Sequence, residues 1–223
     1  MEGLFLVIVV SGMIGIGKTS VAQILGDGLD SKVYYEHVSD NPILPLFYQA
    51  DQKEINEKRY PFLLQLYFLR TRFQSIKQAY KDNDAILDRS IYEDWYFTKI
   101  NRDLGNINDM EFSIYEGLLE EMMKEIEGLP YKKAPDLNVY LRGSFETVMD
   151  RIFERGRDFE QDEELVEYYR KLWEGYDDWL ENYYSASDTL IVDMDKTDVV
   201  HNPQDAEDLV EQVKTLLHAK NKI

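Results

Sequence analysis

Residues 12–19, with the sequence Gly-Met-Ile-Gly-Ile-Gly-Lys-Thr, have the composition and spacing of a loop that binds phosphate groups. Glycines in such a loop let the backbone curl, so that consecutive N–H groups point at one anion. Lys18 would reach the β and γ phosphates of a bound triphosphate, and the hydroxyl of Thr19 would hold Mg²⁺. A glycine-rich turn that binds nothing is the alternative. The residues that we expect to bind the triphosphate here are Gly12, Gly15, Gly17, Lys18, Thr19 and Ser20.

The sequence around this loop predicts a strand before it and a helix after it. Residues 4–10 are apolar without alternation, which is typical of a central parallel strand covered on both faces. Residues 18–25 have helical character, and we expect Gly26 and Gly28 to end that helix. The apolar run lacks a basic segment before it and leads straight into the loop, so we interpret it as a buried strand and not as a signal peptide.

Charged residues follow two further short strands of the predicted sheet. Glu36 follows residues 33–35, and Asp88 and Arg89 follow the strand around 86–87. Open parallel sheets bind ligands at the carboxyl ends of their strands, so Glu36 is a candidate general base or ligand-binding group. Asp88 would hold Mg²⁺ directly or through water, and Arg89 could contact phosphate oxygens. A surface Glu at a strand end and a surface Asp–Arg ion pair are the alternatives.

Polar residues also occur on two predicted helices. In the helix predicted over 60–79, Gln65 and Arg72 share one face and could hold a planar polar ligand. Ordinary residues that face solvent are the alternative. Asp94 lies near the start of a helix that opens at Ile91, where a carboxylate is favoured by the helix dipole alone. A ligand-binding role and a capping role therefore both explain Asp94.

Three arginines, Arg151, Arg155 and Arg157, lie within seven residues of a chain whose net charge is -18. Gly156 between them supplies a hinge. Such a segment could form a lid, at about 153–162, that closes over phosphates and neutralises charge in the transition state. A solvated run of charges is the alternative.

About five predicted strands alternate with helices, which predicts an α/β fold with a parallel sheet and helices on both faces. The 223 residues fit one domain, 1–223, more easily than two. The helix predicted over 106–127 has a regular apolar stripe, which core packing explains best. Together with the helix at 60–79, it could also form a helix-bundle interface in a homodimer.

Composition limits the partners and the location of the protein. A net charge of -18 argues against nucleic acid as a partner, because a nucleic-acid site needs a basic surface. The absence of cysteine excludes disulfides and thiolate metal sites and is compatible with a reducing compartment. No stretch approaches the roughly 20 apolar residues of a membrane span. We therefore predict a cytoplasmic protein that binds neither a membrane nor a nucleic acid.

Five stretches of the chain, taken in order, resemble the deoxynucleoside kinases, and within them the bacterial deoxyadenosine/deoxyguanosine kinase branch. They are G-M-I-G-I-G-K-T (12–19), Y-E-H-V with N-P-I-L-P-L-F-Y (35–48), F-L-L-Q-L-Y-F-L-R-T-R-F (62–73), D-R-S-I-Y-E-D (88–94) and R-I-F-E-R-G-R-D-F-E-Q (151–161). The phosphate loop alone identifies only a superfamily, whereas the last two stretches are much more specific. The resemblance implies the three-layer fold of P-loop kinases and a homodimer.

The resemblance also implies roles for individual residues. Glu36 would be the general base on the 5′-hydroxyl of a nucleoside, and Arg89 would hold the 5′-oxygen or the phosphoryl group. The residues implied to bind the nucleoside base are Gln65, Arg72 and Asp94, and those implied to bind the 3′-hydroxyl are Tyr48 and Glu160. The lid over the donor phosphates would consist of Arg151, Arg155 and Arg157. Mg²⁺ would lie between Thr19 and Asp88.

We therefore predict ATP-dependent phosphorylation of the 5′-hydroxyl of a deoxyribonucleoside. The resemblance implies a purine, with deoxyadenosine ahead of deoxyguanosine. A nucleoside monophosphate kinase of the thymidylate kinase type shares the loop and the lid. It would need positive charge for the phosphate of its acceptor, whereas Glu36 favours an uncharged hydroxyl. A nucleotide-binding protein without turnover is the remaining alternative.

Overall fold

A parallel sheet of five strands lies at the centre of the computed structural model, which describes residues 6–36, 38, 40–82, 84–128, 134–157, 160 and 165–219. The strands are β1 (Leu6–Gly12), β2 (Lys32–Tyr34), β3 (Asp84–Asp88), β4 (Leu137–Arg142) and β5 (Thr189–Asp193). Their order across the sheet is β2-β3-β1-β4-β5. Val10 of β1 pairs in register with Asp88 of β3, so the carboxylate of Asp88 lies beside the loop that follows β1.

Ten helices of the described residues surround this sheet. They are α1 (Lys18–Leu29), α2 (Leu44–Gln49), α3 (Gln52–Lys58), α4 (Tyr60–Ala79), α5 (Ile91–Asp103), α6 (Asp109–Glu127), α7 (Phe145–Arg155), α8 (Leu165–Glu174), α9 (Tyr176–Asn182) and α10 (Pro203–Ala219). None of them is both long enough and apolar enough to cross a membrane.

The two faces of the sheet carry separate apolar cores. Successive side chains of a strand point to opposite faces. On β1, Ile8 and Val10 join a core with α1, α7 and α10, whereas Val7 and Val9 join a core with α4 and α6. This arrangement explains why β1 is apolar without alternation, and it confirms the predicted α/β fold with helices on both faces.

The end of α1 differs from the sequence prediction. The helix continues through Gly26 and Gly28 to Leu29, and Asp30, whose φ is +51°, is its C-cap. The two glycines act through packing, because side chains at these positions would collide with Val33 and Val210. The missing side chains let β2 and α10 approach α1 closely, and they do not break the helix.

Most other helix boundaries agree with the sequence analysis within a few residues. The helix predicted over 60–79 is α4. The helix predicted from 106 begins at Asp109, because Asn108 caps it by accepting a hydrogen bond from the N–H of Glu111.

Candidate active site

A cleft of about 980 Å³ opens at the carboxyl ends of the strands. Most residues predicted to bind ATP, Mg²⁺ or the acceptor line it. From the sequence predictions, the lining residues are Gly15, Gly17, Lys18, Thr19, Ser20, Glu36, Tyr48, Gln65, Asp88, Arg89, Asp94, Arg151, Arg155, Arg157 and Glu160. Gly12 and Arg72 do not line it but contact residues that do.

The phosphate loop begins at Gly12, where only a glycine fits. Its φ is +139°, and a Cβ there would lie 2.6 Å from the backbone oxygen of Leu141. The side chain of Lys18 folds over the loop and donates hydrogen bonds to the backbone oxygens of Gly12 (2.9 Å) and Met13 (2.7 Å). Burial lowers the pKa of Lys18 to about 7, and the charge of Arg89 lowers it too. A phosphate anion beside Lys18 would therefore stabilise its charged form.

The N-terminus of α1 is suited to an anion. Gly17 precedes it with a φ of +108°, and among the described residues no side chain caps it. The first turn contains no acidic residue. The first N–H groups of this helix are therefore available to phosphate oxygens, and the helix dipole favours negative charge there.

Thr19 and Asp88 provide oxygen atoms that fit Mg²⁺. The Thr19 hydroxyl donates a hydrogen bond to Oδ2 of Asp88 at 2.7 Å. Oδ1 of Asp88 is buried and has no hydrogen-bond partner within the part of the chain that the structure describes. Burial raises the pKa of Asp88, and the nearby Glu36 carboxylate raises it further. A divalent cation would relieve both effects, and a hydroxyl, a carboxylate and phosphate oxygens are the ligands that Mg²⁺ prefers.

Glu36 stands between two arginines beside the phosphate loop. Its Oε1 accepts a hydrogen bond from Arg72 at 2.8 Å and lies 3.1 Å from Nε of Arg89. Burial alone would raise the pKa of Glu36, but the charges of Arg89 and Arg72 outweigh burial and hold that pKa at about 2. Glu36 is therefore ionised at neutral pH, and its contacts with Arg72 and Arg89 in the cleft argue against a surface Glu at a strand end.

Arg72 joins Glu36 to the other side of the cleft. Its guanidinium donates to Oδ2 and Oδ1 of Asp94 at 3.2 and 3.3 Å, and to the backbone oxygen of Asp88 at 3.0 Å. Burial raises the pKa of Asp94, whereas the charge of Arg72 lowers it. The exposed fractions of Gln65, Arg72 and Asp94 are 3%, 5% and 3%, which rules out the interpretation as solvent-facing residues.

The capping role at the start of α5 belongs to other residues than Asp94. Ser90 caps the helix by accepting from the N–H of Tyr92, and Glu93 accepts from the N–H of Ser90. Asp94 is thereby left to contact Arg72 and to line the cleft. Near it, Thr98 Oγ1 lies 2.7 Å from the backbone oxygen of Asp94 and 3.4 Å from Oε1 of Gln65.

The three arginines of the predicted lid fall into two groups. Arg151 on α7 donates hydrogen bonds to the backbone oxygens of Ile16 and Met194. Arg155 and Arg157 both form ion pairs with Glu160, which is buried. Gly156 between them has a φ of +67° and ends α7. Within the predicted lid of 153–162, residues 158, 159, 161 and 162 lie outside the described residues.

A family model for deoxynucleoside kinases matches residues 8–218. This chain belongs to the deoxynucleoside kinase family. It is thus an enzyme that phosphorylates deoxyribonucleosides with ATP, and the two alternatives, a nucleoside monophosphate kinase and a protein without turnover, are not supported.

Relatives and solved structures agree with this family. A deoxyguanosine kinase of Lactobacillus johnsonii is 43% identical over 219 residues, covering 97% of this chain and 94% of the relative. A deoxyadenosine kinase of Lactobacillus acidophilus is 42% identical over 210 residues, covering 93% and 94% of the two chains. The structure of deoxyadenosine kinase from M. mycoides with bound dATP superposes with a TM-score of 0.75 at 26% identity, covering 94% of this chain and all of that one.

Sequence analysis missed several residues of this deoxynucleoside kinase site. Residues 194–201, which follow β5, line the cleft on the side of the phosphate loop. They could have been found, because they lie at the carboxyl end of a strand. Phe97 and Tyr168 line the cleft as well, and the guanidinium of Arg89 lies 4.7 Å above the Phe97 ring. These two aromatic residues were not predicted for the site, since helical spacing alone does not show which face of a helix meets the cleft.

Proposed function

We propose that this deoxynucleoside kinase phosphorylates purine deoxyribonucleosides, with deoxyadenosine ahead of deoxyguanosine, and that Glu36 is the general base. The observation that carries the proposal is the placement of Glu36. It lies in the same cleft as Lys18 and the phosphate loop, and it contacts both Arg72 and Arg89. A carboxylate at this position suits an uncharged hydroxyl acceptor and would repel an acceptor that carries its own phosphate.

Arg89 links the strength of this base to substrate binding. In the absence of substrate, Arg89 and Arg72 hold the pKa of Glu36 low, which makes the carboxylate a weak base. A phosphoryl group that draws the guanidinium of Arg89 toward itself would weaken the Glu36–Arg89 ion pair. The pKa of Glu36 would then rise, and Glu36 would accept the 5′-hydroxyl proton more readily while Arg89 stabilises the phosphoryl group.

The base of the nucleoside would be bound by Gln65, Arg72 and Asp94. A planar base needs paired donors and acceptors, and the amide of Gln65 and the carboxylate of Asp94 both line the cleft. A wrong base would leave one of these buried groups without a partner. For the 3′-hydroxyl we propose Tyr48 and Glu160. Burial raises the pKa of Tyr48, and the charge of the nearby Glu160 raises it to a smaller extent.

On the donor side, the loop residues Gly12, Gly15, Gly17, Lys18, Thr19 and Ser20 would bind ATP. Arg151, Arg155 and Arg157 would cover its phosphates. Arg155 and Arg157 would have to exchange Glu160 for phosphate oxygens, because they pair with Glu160 in this structure. Mg²⁺ held by Thr19 and Asp88 would neutralise charge on the phosphates during transfer.

Asp88→Asn should raise the Mg²⁺ concentration needed for half-maximal activity by about tenfold or more, because it removes the charged protein ligand and leaves only neutral oxygens on the protein side of the site. The measurement is the rate of ADP formation against free Mg²⁺ at saturating ATP and deoxyadenosine. Asp82→Asn, at a carboxylate paired with Lys32 near the other end of the sheet, is the control. An unchanged Mg²⁺ dependence in D88N would contradict the metal role.

We also propose that the enzyme is a homodimer that associates through α4 and α6. Three apolar side chains of α6 point outward, with exposed fractions of 75% for Met110, 50% for Ile114 and 42% for Leu118. Leu63 on the adjacent α4 is 41% exposed. A contiguous apolar face on two packed helices fits a second copy of the same pair in a four-helix arrangement.

Ile114→Glu should convert the dimer into a monomer, because it places a charge at the centre of the apolar face. Sedimentation velocity on the variant and the parent protein measures the change in mass. Ile191→Glu, at a side chain on β5 that is 45% exposed, is the control and should leave the mass unchanged. A parent protein that sediments as a monomer would overturn the proposed interface.

The test of the acceptor is a panel of the four common deoxyribonucleosides with ATP, with ADP formation as the readout. We expect the largest kcat/KM with deoxyadenosine, the next with deoxyguanosine, and lower values with the pyrimidines. Deoxyadenosine monophosphate and thymidine monophosphate serve as further acceptors. A higher rate with a monophosphate, or with a pyrimidine nucleoside, would contradict the proposal.

The single domain, the cytoplasmic location and the absence of a nucleic-acid partner remain predictions. A single domain over 1–223 is supported by the family match across 8–218 and by one sheet that pairs strands from both halves of the chain. The cytoplasmic location and the absence of a nucleic-acid partner rest on composition alone. Fractionation of the producing cell tests the location.

A further inference from the structure

We propose that Glu93 is a positioning residue for phosphoryl transfer, which holds Arg89 and the first peptide of the phosphate loop in a fixed relation. The proposal rests on the kinase function described above. Glu93 does not line the cleft and is fully buried. It therefore acts through its neighbours and does not touch substrate.

The two carboxylate oxygens of Glu93 accept hydrogen bonds from two segments that are far apart in the chain. Its Oε2 accepts from the N–H of Ser90 at 2.9 Å, which is the hydrogen bond of an ordinary capping box. Its Oε1 accepts from the N–H of Gly12, also at 2.9 Å. The second hydrogen bond is not part of helix capping, and it connects the start of α5 to the start of the phosphate loop.

Glu93 also faces the guanidinium of Arg89. Oε1 of Glu93 lies 3.5 Å from Nη1 of Arg89, and the Tyr176 hydroxyl lies 3.0 Å from the same Oε1. Nη1 of Arg89 in turn donates to the Tyr176 hydroxyl at 3.3 Å. Arg89 has a φ of +83°, so its backbone conformation is unfavourable and needs support from its surroundings. Glu93 and Tyr176 fix the end of Arg89 that faces away from Glu36.

Both backbone polar groups of Gly12 are held by this cluster. Glu93 accepts from its N–H, while its oxygen accepts from Lys18 and lies 3.1 Å from the Tyr176 hydroxyl. Lys18 is proposed to bind the donor phosphates, and Arg89 is proposed to bind the acceptor side. Glu93 thus contacts Gly12, which holds Lys18 on the donor side, and Arg89 on the acceptor side. A shift of its carboxylate would change the alignment between the two substrates.

A second capping box, at the start of α6, provides a control that caps a helix without contacting the phosphate loop. Glu111 occupies the same place in α6, where it accepts from the N–H of Asn108 and pairs with Arg59. Glu111 is not among the residues that line the cleft. Glu93 and Glu111 therefore share the capping hydrogen bond and an arginine partner, and they differ in the contact with the phosphate loop.

The experiment compares Glu93→Gln with Glu111→Gln in the full chain. We expect E93Q to lower kcat on the order of 100-fold, because misalignment of about 1 Å has an effect of that size. The KM for ATP and the KM for deoxyadenosine should change by less than about threefold, since no substrate contact is removed. E111Q should lower the melting temperature but leave kcat at the parent value.

Tyr176→Phe is the second variant, because it removes only the hydroxyl of the cluster. We expect a fall in kcat of about tenfold with both KM values preserved. If E93Q does not fold, Y176F decides the question. An unchanged kcat in the folded variants, or a loss confined to ATP binding, would overturn the positioning role. The parent protein is assayed in parallel. An incorrect acceptor would appear as a low rate in the parent itself, whereas an incorrect role for Glu93 would appear as an unchanged kcat in the variants.

Discussion

Replacing Glu36 by Gln should lower kcat by a factor on the order of 100 to 10,000, which is the usual contribution of a positioned general base. The amide keeps an oxygen that Arg72 and Arg89 can reach, but it cannot accept the proton of the 5′-hydroxyl. The dissociation constant for ATP should stay within about threefold of the parent value, because the phosphate loop is unchanged. Initial rates with deoxyadenosine and calorimetric titration with ATP measure the two quantities.

Two controls make this result specific to Glu36. Glu54→Gln removes the same charge from α3, whose residues do not line the cleft, and should leave kcat unchanged. Thermal unfolding of E36Q shows how much stability is lost, since Arg72 and Arg89 are buried and lose a charged partner. An equal loss of turnover and of ATP affinity would argue that Glu36 organises the phosphate site and is not the base.

Asp94→Asn should lower kcat/KM for the purine deoxyribonucleosides on the order of 100-fold and reduce the preference for purines over pyrimidines. Asn has one acceptor and two donors where Asp has only acceptors, so it cannot receive both hydrogen bonds from Arg72. Arg72 would then be free to move, and the base would lose a matched partner. The KM for ATP should change little.

The measurement is the full panel of deoxyribonucleosides with D94N and the parent protein. Asp103→Asn is the control, because Asp103 lies on the same helix and pairs with Lys99 at the exposed end. Its panel should match that of the parent. If D94N lowered kcat/KM equally for purines and pyrimidines, Asp94 would hold Arg72 in place without discriminating between bases.

The site residues at the strand ends were predictable, because open parallel sheets bind ligands at the carboxyl ends of their strands. Glu36, Asp88 and Arg89 each follow a short apolar run, and such runs end at one edge of the sheet. The phosphate loop was predictable from its own spacing. The identity of the acceptor followed only from the resemblance to a family, since a carboxylate at a strand end does not specify its ligand.

Contacts between distant segments were not predictable from the sequence. Glu93 is the third residue of a helix, a position that indicates capping, and its partner Gly12 is 81 residues away. Tyr176 is 164 residues from the same glycine. The sequence predicts that α1 ends at Gly26 and Gly28, because glycine favours helix ends when no packing is considered. In each case tertiary contacts decided the outcome, and local patterns do not contain them.

The strand order has a consequence for how such a site can diverge. β1 lies between β3 and β4, so most groups proposed for the nucleoside come from residues 32–98, on the β2 and β3 side of the sheet. The groups beside the donor that follow β4 and β5 come from 141–201. After a gene duplication, one copy could therefore change most of its acceptor contacts within a single continuous stretch of sequence, provided that Asp88 is retained, while the phosphate loop and residues 141–201 are inherited unchanged. The two stretches lie on either side of β1, the strand that ends at the phosphate loop.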